Sequence, residues 1–435
     1  MPPILICMEK LLIKFLSPLV QSRGLLFALV FLSVFACKHP SKETTSEETI
    51  EISQVRLLEN PSLKNSSLPR LFSNGNELYF SWVTDVEEQS FLNFSKYSNG
   101  AWSPSEEIIS GTDWFVNWAD FPQIVENNGN ILSSFLQKSA NGTYTYDVKL
   151  NLYNDATKTW KRNFILHNDG TQSEHGFVSI KPYVFNSFFI TWLDGRNTGG
   201  GHDSHSEHGD GAMTLRGAIV FEDGTIDYDT LLDEKVCDCC NTATAIGPND
   251  ELIVAYRDRT DEEIRDISIK RWVKEEGWLP SIRVAKDDWK IAGCPVNGPA
   301  IDIFENTLGI TWYTGKDEEG KVFMAFSDDK RESFGTPIRI DTENATGRVD
   351  MVMLSKTEAI VLWMEPQGED EVIQLMKVHA NGTKNTPVTI SKTSAARASG
   401  FPQLEKVGNM LFVAWTVTSG ANSKIEMASV SLEHL

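Results

Sequence analysis

The stretch Cys237-Asp-Cys-Cys-Asn-Thr-Ala-Thr-Ala-Ile-Gly-Pro-Asn-Asp-Glu-Leu-Ile-Val-Ala-Tyr-Arg-Asp-Arg259 carries both the scaffold signal and the chemical one. Its second half, Leu252-Ile-Val-Ala-Tyr256, is a short apolar run closed by an aromatic and preceded by a Gly-Pro-Asn-Asp turn. An apolar run of this length bounded by turn residues reads as a buried strand. The same ending returns at Trp82, Phe135, Trp192, Trp312, Trp363 and Trp415, with apolar residues two and four positions earlier, as at Phe188 and Ile190 or Leu411 and Val413.

Each copy has a lead-in that often contains proline, such as Phe121-Pro-Gln-Ile, Lys181-Pro-Tyr-Val, Gly298-Pro-Ala-Ile and Phe401-Pro-Gln-Leu. Between copies lie two further strand-like runs, for instance Asp147–Tyr153 and Trp160–Leu166. The period is roughly 50–60 residues, that of propeller or solenoid arrays. Four short strands per repeat and little helical periodicity predict an all-β chain folded as a β-propeller. Seven blades are expected, with six as the alternative because the second copy places Ser133 in an apolar slot. The seventh copy is followed by only one strand, Lys424–Leu432, so the strand-like Ile50–Leu57 is expected to complete the last blade and close the ring, which removes exposed edges.

Before the repeats, Lys10, Lys14 and Arg23 precede an apolar run, Gly24–Ala36, too short for a membrane span and suited to a signal peptide. The run ends in Val34-Phe-Ala-Cys37, which resembles the lipobox of bacterial lipoproteins. That resemblance implies lipid attachment at Cys37, with the membrane reached through the lipid anchor only, and a place in the bacterial cell envelope. The expected organisation is a signal peptide over 1–36, a Ser/Thr/Glu/Lys-rich tether over 37–48 and a single propeller over 49–435. A formal charge of −20 argues against a nucleic-acid partner, since nucleic acid rewards positive charge. The expected partner is a small molecule, a metal or a glycan.

Ser327-Asp-Asp-Lys-Arg-Glu-Ser-Phe334 resembles the Asp-box of sialidases and related BNR-repeat proteins, with Arg331 where the box has glycine. The repeated inner hairpin resembles that superfamily over most of residues 50–435. Sialidases grip a substrate carboxylate with three arginines and use a Tyr/Glu nucleophile pair and an aspartic acid. The resemblance therefore implies an exo-glycosidase acting on anionic sugars. No Arg-Ile-Pro run occurs, and Pro69-Arg-Leu71 has the wrong order.

In a propeller, the loops leading into the inner strands and the loops after the second strands open at one end of the axis. This gathers Asp120, His175, Cys237, Cys239, Cys240, Cys294, Arg348 and Arg397 from the first set, and Arg196, Arg257 and Arg259 from the second. The cysteines have two readings. A secreted chain commonly pairs its cysteines, but a bridge between the adjacent Cys239 and Cys240 is strained. Alternatively, the four thiols bind Cu(I) or Zn(II) with support from His175 and from His202, His205 and His208 of a Gly-rich loop. Arg257 and Arg259 read either as members of an ion-pair network or, with Arg196, Arg348 and Arg397, as an anion clamp for substrate. Asp120 is either a general acid or a cap at the start of a strand. Trp118 either stacks on a sugar or packs beneath its loop, and Trp114 has the same two readings. The function expected from these residues is ligand or metal binding at the axial mouth; glycoside hydrolysis and a silent protein-interaction scaffold are the alternatives.

Overall fold

The computed structural model describes residues 54–198, 211–328, 330–420 and 422–435. Among these, the backbone forms seven antiparallel sheets of four or five strands, and helical structure is confined to 3-10 turns of three residues. Among the described residues no helix is long and apolar enough to cross a membrane.

The quoted stretch shows how one blade is built. Ala243–Ile246 pairs with Leu252–Arg257, which pairs with Ile267–Val273, which pairs with Gly277–Trp278. Leu252–Arg257 is buried at every residue because it lies second from the axis with other blades against both faces, so its apolar run does not alternate. The first strands of the blades are Ser66–Ser73, Ile124–Asn127, His175–Pro182, Ala243–Ile246, Ala300–Phe304, Gly347–Ser355 and Gln403–Val407. Each contacts its neighbours in a closed cycle, which makes the array a ring. This is the seven-bladed propeller expected from the repeats.

All seven aromatics that mark the second strands are buried, from Trp192, Trp312 and Trp363 at 0% exposure to Trp82 at 2%. A buried tryptophan removes 150–250 Å² from water, roughly 5 kcal/mol before entropy is charged against it. The second blade is regular: Ser133 lies fully buried in Asn130–Lys138, and its hydroxyl accepts from the Asn151 side chain at 3.4 Å. The ring closes as the pattern predicts. Val55–Leu57 adds to the outer side of Asn422–Ser431, with Val55 opposite Val430 and Leu57 opposite Ala428. The remainder of the expected closing strand, the tether, the signal segment and Cys37 lie outside the described residues.

Carboxylates fasten one blade to the next near the axis. Asp302 accepts the Met353 N–H at 2.7 Å, Asp350 the Leu404 N–H at 2.8 Å and Asp120 the Phe177 N–H at 2.7 Å. The third pin requires glycine at 176, because a Cβ there would overlap Asp120 Oδ2. Gly298 is required for a similar reason: its Cα runs against the Asn241 backbone, where no side chain fits.

Candidate functional site at one end of the axis

The chain enters every blade from the same end, so the lead-in loops crowd together there. Asn241 ahead of blade 4 donates to the Ala119 carbonyl ahead of blade 2 at 2.7 Å. Asn297 ahead of blade 5 accepts the N–H of Arg348, at the start of the first strand of blade 6, at 2.7 Å. Loops distant in sequence thus form one surface.

Four thiols meet on it. Cys237 Sγ and Cys240 Sγ are 3.5 Å apart, and the sulfurs of Cys237, Cys239 and Cys240 all lie within 4.8 Å of one another. Cys294, from the next lead-in, hydrogen-bonds with Cys239. No disulfide joins them. Arg265 donates to Cys237 Sγ at 3.3 Å. Burial alone would raise the Cys237 thiol. Hydrogen bonds from Cys239 and Cys240 and the Arg265 and Arg257 charges overcome it and hold Cys237 well below the ordinary thiol range. Burial pushes Cys239 and Cys240 up, and the neighbouring Cys237 adds to both. The hydrogen bond with Cys239 lowers Cys294 as well.

The arginines that rim the cluster are engaged by the protein. Arg257 donates to the carbonyls of Asn297, Arg265 and Tyr313 at 2.7–3.1 Å and lies over the Trp289 ring. Arg259 pairs with Glu263 at 2.8 Å and Asp238 at 3.1 Å, and Glu263 also holds Arg265 at 2.7 Å. This is the network alternative of the sequence reading. Arg196 forks onto Asp194 with both contacts at 2.7 Å. Arg348 donates to the carbonyls of Ala395, Ala396 and Gly400 and to Ser399 Oγ, all within 3.3 Å. Burial lowers its guanidinium to about 10. Arg397 is exposed at the start of the turn Arg397–Ser399. Trp118 stacks on Phe401 at 5.9 Å, with Arg348 4.8 Å from its ring centroid, so this indole packs against protein groups. Trp114 packs on Phe135 at 4.6 Å.

Asp120 and two residues that the sequence reading did not single out form a second buried group. Tyr146 opens the third strand of blade 2, and Glu174 immediately precedes the first strand of blade 3. The Tyr146 hydroxyl lies 2.7 Å from Glu174 Oε1 and 3.1 Å from Asp120 Oδ2. Phe115 stacks flat on the tyrosine ring at 4.2 Å. Burial raises Asp120 to about 7, against the lowering effect of the Phe177 N–H and the Tyr146 hydroxyl. Burial likewise raises Glu174 to about 8 and Tyr146 well above the usual phenol range. A parallel bridge between Tyr146 and Glu174 brings these side chains together across the seam between blades. No motif marks either residue; Glu174 stands one residue before His175, at the start of an inner strand.

His175 does not turn to the thiols. Its ring stacks on His167, centroid to centroid 3.6 Å, and its Nε2 meets Asp169 at 2.9 Å. His202, His205 and His208 lie outside the described residues. At the far end of the ring a polar depression of about 550 Å³ is lined by Asn74, Glu126, Asn127, Lys181 and Asp302.

No family model matches the chain, and no curated protein matches it. Among solved structures, polysaccharide lyase Uly1 superposes with a TM-score of 0.51 at 8% identity, over 89% of this chain and 94% of that one. A protein of unknown function from Dyadobacter fermentans DSM 18053 gives 0.49 at 12% identity, over 87% and 98%. The K499G mutant of NanB sialidase from Streptococcus pneumoniae gives 0.47 at 9% identity, over 88% and 95%. At such identity, the match to Uly1 is a likeness of fold.

Proposed function

We propose that the protein is a metal-binding propeller whose axial face carries a thiolate centre formed by Cys237, Cys239, Cys240 and Cys294. The observation that carries this reading is the clustering of three unbridged thiols from one lead-in loop, with Cys237 and Cys240 sulfurs 3.5 Å apart and Cys294 of the next lead-in beside Cys239. A disulfide would place them at about 2.0 Å. Two sulfurs on one tetrahedral zinc, each about 2.3 Å from the metal, lie about 3.8 Å apart. Zinc fits the three clustered sulfurs, with Cys294 as the fourth ligand the proposal adds, and Cu(I) is the other soft ion that thiolates favour. Such an ion would tie blade 4 to blade 5 and fix the loops around the mouth, where a small-molecule or glycan ligand would bind. Arg265 and the Arg259–Glu263 network would offset the charge of the thiolates and orient them, as outer groups do around metal ligands.

The test is elemental analysis of protein purified under reducing conditions, beside a Cys239→Ser/Cys240→Ser variant. One equivalent of zinc or copper that the variant loses supports the reading. Native protein with no metal and four readily titrated thiols, or four oxidised ones, removes it.

A second reading is favoured by Tyr146, whose hydroxyl is held between Glu174 and Asp120. A tyrosine with a glutamate and an aspartic acid is the composition implied by the sialidase resemblance, which makes glycoside cleavage the alternative. The arginines count against a sialic acid carboxylate as the ligand, since Arg196, Arg257, Arg259 and Arg348 are all occupied by protein groups. Turnover of a panel of fluorogenic glycosides and acidic polysaccharides, lost in Tyr146→Phe, would support this reading; no turnover across the panel at any pH would remove it. Anchoring in the bacterial envelope through Cys37 belongs to the same proposal, and the intact mass of the mature protein tests it.

A further inference from the structure

The depression at the far end of the ring is used by neither of the readings above. It lies where the inner strands Ser66–Ser73, Ile124–Asn127, His175–Pro182, Ala243–Ile246 and Ala300–Phe304 end. In blade 4 the cysteines precede Ala243 and the depression is reached at Ile246, so the two surfaces occupy opposite ends of one strand. Its volume of about 550 Å³ lies within the range of small-molecule sites.

We propose that this depression binds a neutral, hydroxyl-rich ligand of the saccharide class. A sugar ring has polar edges and an apolar C–H face, and the lining matches both. Phe72, Ile246 and Ile303 supply apolar surface, and asparagine amides supply donors and acceptors. Asn74 is held in place: its Oδ1 accepts the Asn76 and Glu77 N–H groups at 3.1 and 2.9 Å, and its Nδ2 donates to Glu126 at 2.7 Å. The side chains of Asn76 and Lys181, which also line the depression, make no hydrogen bond to any described residue. Charge argues against an ion as the ligand. Glu126 already accepts from Asn74 and from the Gly129 N–H, and Asp302 accepts the Ile303 and Met353 N–H groups, so their oxygens are engaged by the protein. Burial raises the carboxyls of Asp302, Asp350 and Glu405, and the Lys181 charge opposes it. The ammonium is therefore balanced within the protein, and what it lacks is an oxygen acceptor, which a hydroxyl supplies.

Phe185 is an independent observation that points the same way. It sits in the turn between the first two strands of blade 3 and is 89% exposed. Its φ of +53° lies in the left-handed region, where a bulky side chain is an outlier. A ring so exposed, on such a backbone, adds little to folding. Its turn is fastened to the lining of the depression. Asn127 Nδ2 donates to the Tyr183 and Ser187 carbonyls on either side of Phe185, at 2.6 and 2.7 Å, and Asn128 Nδ2 donates to Asn186 Oδ1 at 3.0 Å. An aromatic ring kept in solvent beside a polar cavity suits stacking on a sugar.

The experiment is isothermal titration calorimetry of the full-length protein with maltohexaose, cellohexaose and xylohexaose, beside oligogalacturonate as the acidic counterpart. A neutral oligosaccharide should bind with one equivalent per chain. Phe185→Ala removes an exposed ring and leaves the core intact, and should weaken binding about tenfold. Lys181→Met should weaken it further. Chelation acts on the thiolate centre and should leave the titration unchanged. No heat from any of the neutral oligosaccharides at millimolar concentration overturns the proposal, as does tighter binding of oligogalacturonate. Affinity that survives both Phe185→Ala and Lys181→Met overturns it too. So does binding abolished by chelation, because the ligand would then belong to the thiolate face.

Discussion

The Tyr146 hydroxyl sits 2.7 Å from Glu174 Oε1, across a seam joining two blades, while Asp120 Oδ2 stands 3.1 Å away on its other side. One phenol has one hydrogen. For both contacts to be hydrogen bonds, one carboxyl must be protonated and donate to the phenol oxygen. The raised pKa values of both carboxyls agree with this count. The group is a proton-sharing cluster sealed beneath Phe115.

Tyr146→Phe removes the hydroxyl while keeping the ring that stacks on Phe115. It leaves two buried carboxyls short of a partner, which costs about 1–3 kcal/mol. Urea denaturation should show that loss as a lower midpoint with an unchanged slope.

Asp120 gives stability a pH dependence of definite sign. Its folded pKa is about 7, against 3.8 for the free side chain. Between these values the folded protein holds a proton that the unfolded chain has released. Its contribution therefore weakens as pH rises through this window, by up to about 1.4 kcal/mol per pH unit, and is constant above it. Asp120→Asn should flatten the slope of stability between pH 4 and 7, measured by denaturant melts at a series of pH values.

The thiol cluster predicts masked reactivity. With a metal bound, a thiol reagent should modify none of Cys237, Cys239, Cys240 and Cys294 rapidly, and all four after chelation. Chelation should also lower the melting temperature by several degrees, because an ion bound only by the folded state stabilises it by mass action. Differential scanning calorimetry with and without chelator checks this.

Deleting the chain through Leu57 takes away the strand that covers Asn422–Ser431. The exposed edge should lower thermal stability and promote self-association. Deletion ending at Ser53 spares the Val55–Leu57 pairing and should do neither. Light scattering and thermal melts of the two truncations distinguish the outcomes.

Much of the scaffold was readable because a propeller repeats. Each second strand carries the same apolar spacing and terminal aromatic, so seven weak signals reinforce one another, and the missing fourth strand of blade 7 pointed to a partner in Ile50–Leu57, where Val55–Leu57 forms the pairing. The cysteines were readable as a cluster because three fall within four residues. Tyr146 and Glu174 were not. Neither stands in a motif, and a tyrosine before an apolar strand resembles ordinary core. His175 was noticed, but its partners His167 and Asp169 come from the preceding blade, and no spacing rule links them.

The sequence by itself determined the repeat, the closed ring and the end of the axis to which the marked loops belong, because these follow from local periodicity and the need to cover strand edges. The tertiary structure alone decided how the charged groups are spent. Arg257 and Arg348 could have faced a ligand, yet both are held by main-chain carbonyls. Asp120 became a pin between blades, and His175 turned toward His167. Such choices depend on which donors and acceptors meet when distant segments are buried together, and that pairing is fixed by three-dimensional proximity, not by order along the chain.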